Sequence, residues 1–570
     1  MPRRHHIIAR WVDLCKWTSR LYNIMALYNS MMRYAVESDW IRQMVKLKHH
    51  WISATHNLQR AAALIWYVSV SCVVLALIVA VCLNSVAYVR HFIDDTAYHI
   101  PMAVEIARHA NPYYVDIDAA FTSFWFPAGA EALVGLIVAI TRDINSTNLS
   151  GALFYVLFLV VSYQFAGIWT AACHIRLLSV ALCGVIPVLF AQTVAFYVDI
   201  HINWLVYLSL YLLTLAFIQR QVDYAWYGIG AAILSASVKY HGLLFGTVLM
   251  LAAIAVMVAI RSYKPSWRSL MFVVGSGLFT SGWYLRNLWL KGNPIYPLAL
   301  PQPLSTILTN LGFPYQGILF PNLSPQAVLP HPLIPKSPVV YHLVPHITND
   351  AFGLMFPISL FMIGLVALRS HCMPALQRRA FWFVLAVSVA IVVVLPFHLS
   401  VPRYVLFLPA VAALWPAMLV ATNPSSYRLS LYSYAGVMVI SIIYIAANII
   451  GSGNYRTFTQ EAISILREHR RSDIVSFDIF EQGNLRIGYL SGRMAFIATL
   501  YDRRLTNQLI QLHYQDYLLD HGPNFTNPAD FVAYVQSLDL DYIVIFDPEA
   551  PGADILREHF FHMTIVEDKY

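Results

Sequence analysis

Two adjacent carboxylates, Asp94 and Asp95, follow directly after the first long apolar run of this 570-residue chain. Two like charges side by side repel each other, and near lipid they also lose hydration. The pair is therefore either a solvated acidic loop or part of a reaction centre at a membrane surface. A carboxylate at such a centre can take the proton of an acceptor hydroxyl while a new bond forms.

Further ionisable side chains occur at or near the ends of later apolar runs, where burial in lipid costs about 2.5–3.5 kcal/mol each. If the runs alternate across a membrane, these residues converge on one face: His99, Glu105, Glu131, Asp199, His201, Lys239, His241, Arg286, Lys291 and Arg403. Such a mixture suits a site that binds an anionic phosphate and removes a proton from an acceptor. For any one cation, the simpler alternative is a side chain that extends its charge toward the headgroups.

A metal requirement is left open by the sequence. The histidines are more typical of structural positions than of zinc ligands, because no HExxH or comparable spacing occurs. The three carboxylates Asp94, Asp95 and Asp199 could instead hold a divalent ion such as Mg²⁺ or Mn²⁺.

The elements that must position these residues are membrane helices. The chain is 58% hydrophobic and 12% charged, whereas soluble domains carry about 25% charged residues. Its net charge of +7 is dispersed between apolar runs, which excludes a clustered nucleic-acid interface. Runs long enough to span a membrane lie at 61–88, 150–171, 178–197, 200–218, 224–240, 242–260, 267–287, 350–368, 379–397, 403–421 and 430–450.

Charge bias predicts the orientation of these spans. Residues 1–60 form a basic segment with ten Lys and Arg against three acids, which places the N-terminus in the cytoplasm. The run 128–141 is short and contains Glu131, so we interpret it as a re-entrant helix. The domain 61–450 then has external loops at 90–127 and 291–348. The alternative is that 128–141 crosses and a later short run does not.

Two regions are not predicted to be membrane segments. Residues 292–348 contain twelve prolines, which predicts an extended lid with polyproline stretches. Residues 452–570 predict a small extracytoplasmic α/β domain, with strands in DIVSFDIF and DYIVIFD and a helix in PADFVAYVQSL after the Asn527-Pro528 turn. The fold class expected is an all-α polytopic membrane protein of about 11–13 transmembrane helices, plus this domain.

Several motifs resemble the GT-C class of polytopic glycosyltransferases. DDTAYHIP is similar to the acidic pair and aromatic residue that bacterial relatives of the protein O-mannosyltransferases and lipid A aminoarabinose transferases carry after the first span; here these are Asp94, Asp95 and Tyr98. FWFPAGAEAL resembles their aromatic-proline stretch and supplies Glu131. YVDI supplies a second acid, Asp199. Further similar stretches are SVKYHGLL, WYLRNLWLKGNPIYP and PRYVLFLPA.

The resemblance covers about residues 60–420 and has one departure. Aminoarabinose transferases carry a basic residue three positions after the first acid, where this chain has Ala97. An acid-lysine pair of their proline stretch is also absent, because Ala128 and Gly129 follow Pro127. The phosphate-binding detail of that branch therefore does not transfer.

The resemblance implies an inverting transfer of a sugar from a polyprenyl-phosphate donor to an acceptor hydroxyl at the extracytoplasmic face. It assigns the general base to Asp94, with Asp95 in support and Asp199 as the competitor. Substrate-binding residues are expected to be Tyr98, His99, Glu131, Lys239, His241, Arg286, Asn293, Tyr296, Arg403 and Tyr404.

The partners expected for this reaction are membrane lipid and a glycan, lipid or protein acceptor, in what the resemblance suggests is a bacterial cytoplasmic membrane. The alternative is a non-catalytic transporter or an assembly or scaffold protein for lipid-linked glycans. Transporters commonly show internal repeats and midplane charges, whereas the charges of this chain gather at one face.

Overall fold

The computed structural model describes residues 67–79, 81–82, 98–114, 125–193, 196–300, 302–316, 355–394, 402–422, 482–490, 500, 506–512, 514, 525, 527–545 and 552–560. The chain divides into two compact units, Met1–Ser69 and Val70–Tyr570. Nearly all described residues belong to the second unit. The predicted basic segment 1–60, the pair Asp94 and Asp95, and the predicted span 430–450 lie outside the described residues.

The described chain is mostly helical. In order, its helices are α1 (Tyr67–Val79), α2 (Ile100–His109), α3 (Gly129–Thr141), α4 (Leu149–Ala166), α5 (Cys173–Gly184), α6 (Pro187–Ala191), α7 (Asp199–Gln219), α8 (Val222–Ala236), α9 (His241–Ile260), α10 (Trp267–Lys291), α11 (Gln302–Asn310), α12 (Met355–Arg369), α13 (Ala375–Val393), α14 (Phe407–Ala412), α15 (Trp415–Thr422), α16 (Pro528–Ser537) and α17 (Ala553–His559).

Four helices are long and apolar enough to cross a membrane: Ser146–Ala166, which contains α4, and α7, α9 and α13. Five shorter apolar helices accompany them: α1, α3, α5, Phe356–Cys372 and Phe407–Thr422. These helices are candidate membrane spans by length and composition, and insertion of the chain into a membrane stays a prediction. The count of about eleven spans stays a prediction.

Two predicted spans are interrupted. The run 178–197 is divided between α5, which ends at Gly184, and α6, which begins at Pro187. A proline ring has no N–H to donate and clashes with the carbonyl four residues earlier, so the helix cannot continue through it. In the run 403–421, two turn residues separate α14 from α15, which together form the apolar helix Phe407–Thr422. That both runs span a membrane stays a prediction.

Helices α7 to α10 pack closely because small residues lie where they meet. The Ser209 hydroxyl of α7 donates to the Gly228 carbonyl of α8 over 2.8 Å. A Cβ added to Gly246 of α9 would lie 2.8 Å from the Ala232 carbonyl oxygen of α8. Such close backbone approach is the kind of helix contact that membrane proteins use, since lipid supplies no hydrophobic force between helices.

The starts of α8 and α10 are joined by Asp223. Its carboxylate accepts from the Ser266 backbone N–H over 2.6 Å and from the Ser269 hydroxyl over 2.7 Å. Ser266 is itself the N-cap of α10 and accepts from the Ser269 N–H over 3.3 Å. These hydrogen bonds, the Ser266 N–H foremost, lower the pKa of Asp223. The two helices are thus tied at the ends remote from Lys239 and Arg286.

The proline-rich loop is described as far as residue 316. It contains α11, so the expectation of an extended segment is wrong over these nine residues. Pro303 falls in the first turn of α11, where a missing N–H removes no helical hydrogen bond, and no further proline follows until Pro314. None of the α11 residues is buried. The rest of the predicted lid, residues 317–348, lies outside the described residues.

The C-terminal region contains a parallel sheet of three strands: β1 (Arg486–Leu490), β2 (Gln508–Gln511) and β3 (Tyr542–Ile545), in the order β2-β1-β3. The predicted strand in DYIVIFD and the predicted helix α16 are confirmed, and the Asn527 side chain caps α16 by accepting from the Ala529 N–H. The predicted strand in DIVSFDIF lies outside the described residues. The extracytoplasmic location of this region stays a prediction.

Candidate functional site

A buried cluster of three charges lies at the start of α7. Asp199 is the first residue of α7, and its side chain is fully buried. Its Oδ1 lies 3.3 Å from Lys239 Nζ, and its Oδ2 lies 3.5 Å from Arg403 Nε. The two cationic side chains are 14% and 16% exposed. One carboxylate balanced by two cations leaves a net charge of +1 in a poorly solvated place.

Three separate elements position these charges. Lys239 lies in the turn between α8 and α9, and Arg403 lies in the 3₁₀ turn Pro402–Val405. Asn203, one turn along α7, holds that 3₁₀ turn: its Nδ2 donates to the Arg403 carbonyl over 3.1 Å, and its Oδ1 accepts from the Phe407 N–H over 3.1 Å. Sequence reasoning did not select Asn203, although an amide inside the apolar run 200–218 was a signal, and the structure shows it fully buried.

Aromatic rings flank the two cations. The Tyr404 ring centroid lies 5.5 Å from both Lys239 Nζ and Arg403 Cζ, and the Tyr197 ring lies 4.7 Å from Arg403 Cζ. The His241 ring lies 5.3 Å from that of Tyr404. Rings at these distances attract a cation and exclude water, so they hold the charged groups in place.

Arg286, near the end of α10, binds backbone carbonyls. Its guanidinium donates to the Trp125 carbonyl over 3.0 Å, to the Tyr114 carbonyl over 3.3 Å and to the Tyr113 carbonyl over 3.4 Å. A further donor reaches Asn287 Oδ1 over 3.0 Å. Arg286 therefore ties two separate stretches of the predicted external loop 90–127 to α10, a role that the sequence did not predict. Its predicted contact with phosphate stays a prediction.

Asn287 and Tyr240 connect this loop to the turn that carries Lys239. Asn287 Nδ2 donates to the Trp125 carbonyl over 2.8 Å and to the Tyr240 hydroxyl over 3.0 Å. The Tyr240 hydroxyl in turn donates to the Tyr296 carbonyl. Because Tyr240 is the neighbour of Lys239 in sequence, the network and the charge cluster belong to one region.

The predicted residues Asn293 and Tyr296 lie in the segment after α10. Asn293 Nδ2 donates to the Leu298 carbonyl over 2.7 Å and to the Gln316 carbonyl over 2.8 Å, so its described contacts shape this segment. The Tyr296 ring lies 5.5 Å from Lys291 Nζ, and the Trp125 ring lies 4.6 Å from the same atom. Lys291 is thus a buried cation beside the network.

Glu131 and His99 form a buried pair. Glu131 lies in the first turn of α3, and His99 directly precedes α2. His99 Nδ1 lies 2.6 Å from Glu131 Oε1, and the two side chains are 1% and 5% exposed. The Tyr98 ring lies 4.0 Å from the His99 ring. The sequence predicted both residues for the site but did not predict that they contact each other.

The pair and the charge cluster lie at the same end of the helices. The first backbone N–H of α3, that of Gly129, donates to the Ser237 carbonyl over 2.7 Å, two residues before Lys239. The Phe196 ring lies 5.6 Å from the His99 ring and 6.3 Å from the His201 ring, which belongs to the first turn of α7. The structure thus brings together the predicted residues of α2, α3, α7 and the α8–α9 turn.

The described residues do not fit a metal ion at Asp199. Both of its oxygens face cations, which would repel a divalent ion. In the part of the chain that the structure describes, no group of three or more His, Cys, Asp or Glu is arranged to hold a metal. The other candidates, Asp94 and Asp95, lie outside that part.

Comparison with known proteins adds no family. No protein-family model matches this sequence. A search of curated proteins likewise finds no match.

Proposed function

We propose that this protein is a membrane glycosyltransferase that moves a sugar from a polyprenyl-phosphate-linked donor to an acceptor hydroxyl, with inversion. The observation that carries the proposal is the buried cluster of Asp199, Lys239 and Arg403 at the ends of apolar helices. A polyprenyl tail lies in the bilayer, so its phosphate lies at headgroup depth. Cations at the ends of spanning helices meet the phosphate at that depth.

The charge of the cluster suits this substrate. A sugar linked through a phosphodiester carries one negative charge, and the cluster carries a net +1. When the bond to the sugar breaks, negative charge grows on the departing phosphate. Fixed cations in a poorly solvated site stabilise that growing charge more than they stabilise the ground state, which lowers the barrier.

Asp199 acts in this proposal by positioning cations. A carboxylate with a cation near each oxygen is a weak proton acceptor, because protonation would remove the charge that both cations need. We therefore assign Asp199 to holding Lys239 and Arg403 and not to general-base catalysis. Asp94, the base expected from the sequence, stays a prediction.

The proposal places the reaction at the extracytoplasmic face, with the N-terminus in the cytoplasm and residues 452–570 outside. Support comes from the basic bias of residues 1–60 and from the shared location of the ionisable groups. The acceptor is a glycan, a lipid or a protein. A non-catalytic assembly protein would bind the same lipid without transferring the sugar.

The test uses the full chain in lipid nanodiscs with a long-chain polyprenyl phosphate as the probe and the corresponding polyprenol as the control. Loss of one charge-assisted contact should weaken binding by about 1.5–3 kcal/mol, or about tenfold or more. We expect this loss for Lys239→Met and Arg403→Met, and no change for Lys264→Met, whose side chain is exposed.

The result is decided by comparing the phosphate with the alcohol. Wild-type protein should bind the phosphate and not the polyprenol, and it should transfer sugar from a polyprenyl-phosphate sugar. Normal phosphate binding by both variants would place the donor elsewhere. Binding without transfer from any lipid-linked sugar tested would favour the assembly protein.

A further inference from the structure

The contact between His99 and Glu131 uses only one of the two polar atoms on each side chain. Nδ1 of His99 and Oε1 of Glu131 are 2.6 Å apart, a distance typical of a charge-assisted hydrogen bond. His99 Nε2 and Glu131 Oε2 are buried and have no hydrogen-bond partner among the residues that the structure describes. Buried polar atoms are nearly always satisfied, so such atoms need an explanation.

The arrangement is one that prepares an imidazole to accept a proton. A carboxylate on one ring nitrogen fixes the tautomer and the orientation of the ring, and it stabilises the imidazolium that forms when the other nitrogen takes a proton. A purely structural pair gains nothing from an unsatisfied Nε2, because every unsatisfied buried atom costs about 1–3 kcal/mol. The geometry therefore favours a chemical role for His99.

The neighbourhood of His99 supports the same conclusion. His201 is also buried. The Phe196 ring lies near both imidazoles, and His201 is two residues from Asp199. The unsatisfied atoms of His99 and Glu131 thus lie near the cluster that we assign to the donor phosphate.

We propose that His99, oriented by Glu131, is the general base for the acceptor hydroxyl. The inference rests on the proposed function. His99 Nε2 takes the hydroxyl proton, and the acceptor oxygen forms its bond to the anomeric carbon. The bond between that carbon and the phosphate oxygen breaks, and its electron pair leaves with the phosphate that Lys239 and Arg403 face. His99 takes over the role that the sequence assigned to Asp94.

Several titratable or charged groups lie on the elements that surround His99. Glu131 comes from α3, and Asp143 follows α3 beside the 3₁₀ turn that packs on α2. The group from α7 is His201 with Asp199, and α10 contributes Arg286. The pH profile of the wild-type protein is therefore compared with those of His99→Gln and Glu131→Gln.

The test measures sugar transfer against pH for His99→Gln and Glu131→Gln, with His109→Gln as the control. His109 is about half exposed at the far end of α2. General-base catalysis raises the rate of the chemical step by about 10²–10⁴-fold, so His99→Gln should lower kcat at least about a hundredfold. The fall in kcat on the acidic side of the pH profile, the lower limb, should also disappear. Glu131→Gln should also lower kcat, because the imidazolium that forms loses the carboxylate that orients and stabilises it. His109→Gln should transfer sugar as the wild-type protein does.

Binding of polyprenyl phosphate serves as the check on folding, since it depends on Lys239 and Arg403. His99→Gln and Glu131→Gln should bind this probe within about twofold of wild type, an energy difference well below one broken contact. If His99→Gln keeps both its rate and the limb while Asp94→Asn loses them, the base is the carboxylate and the inference is wrong. If the wild-type protein transfers no sugar at all, the proposed function fails and the inference fails with it.

Discussion

At the scale of single residues, Asp199 compensates the charge of two poorly solvated cations. Lys239 is 40 residues from it in sequence and Arg403 is 204 residues away, yet both approach within 3.5 Å. Removing one partner from a buried ion cluster leaves a buried charge without a counter-ion. The stability lost in this way is larger than the net stabilisation that the intact cluster provides. A negatively charged ligand can supply the compensation that the carboxylate normally provides.

Asp199→Asn should destabilise the protein by about 3 kcal/mol, because Lys239 and Arg403 then repel each other in a poorly solvated place. Addition of polyprenyl phosphate should raise the melting temperature of this variant more than that of wild type, because the anion replaces the lost charge. Tryptophan fluorescence on heating measures both effects. Asp530→Asn, on the exposed face of α16, is the control. Equal melting of Asp199→Asn and wild type would contradict the assignment.

The polar residues that form the buried charge cluster could be selected from the sequence, whereas their pairing could not. An ionisable residue at the edge of an apolar run is costly, so Asp199, Lys239 and Arg403 could be selected from the sequence. Contacts between residues 32 to 204 positions apart depend on helix packing, which cannot be inferred from a local sequence pattern. The pair His99 and Glu131 and the carbonyl contacts of Arg286 could therefore be found only from the structure.

At the scale of elements, apolar length predicted where helices occur better than where they end. Pro187 and Pro416 lie inside runs that hydropathy alone treats as continuous. The short strands β1 and β2 were missed, because four or five residues give too little periodicity to distinguish a strand from a loop. β1 can be recognised as a strand only from the structure, where it is the central strand and pairs with both β2 and β3.

The join between α8 and α10 gives a prediction that depends on pH. The pKa of Asp223 is lowered in the folded protein, so its contribution to stability is present above the unfolded value of about 3.9 and is lost as pH falls through the folded value. Asp223→Asn should lower stability near pH 7 by about 1 kcal/mol, a figure reduced for solvent screening.

Melting temperatures from pH 7 downward test this prediction. The difference between Asp223→Asn and wild type should shrink below about pH 4, where the wild-type carboxyl also becomes neutral. Glu558→Gln, on an exposed part of α17, should follow wild type throughout. A difference that stays constant with pH would mean that shape, and not charge, makes Asp223 important.

At the scale of the whole molecule, the open question is whether α3 crosses the membrane. Its 13 residues extend about 20 Å, less than the hydrocarbon core of about 30 Å. It ends at Arg142, which is exposed and in a left-handed conformation, whereas Thr147 and Asn148 are buried. Arg142 is therefore the position at which an external reagent reports on this loop.

A cysteine in place of Arg142, in a chain without the native cysteines, should react with an impermeant maleimide in intact cells. The re-entrant interpretation requires this, because both ends of α3 are then outside. A cysteine in place of Lys264, in the turn predicted to be cytoplasmic, should react only after permeabilisation. Protection of the residue-142 cysteine in intact cells would make α3 a true span.

The contact of Arg286 with the predicted external loop 90–127 has a consequence for the evolution of this protein. The guanidinium binds carbonyl oxygens of Tyr113, Tyr114 and Trp125, and every amino acid offers the same carbonyl. The attachment by Arg286 therefore does not depend on which side chain each of these three positions carries, and it can persist while their sequence diverges.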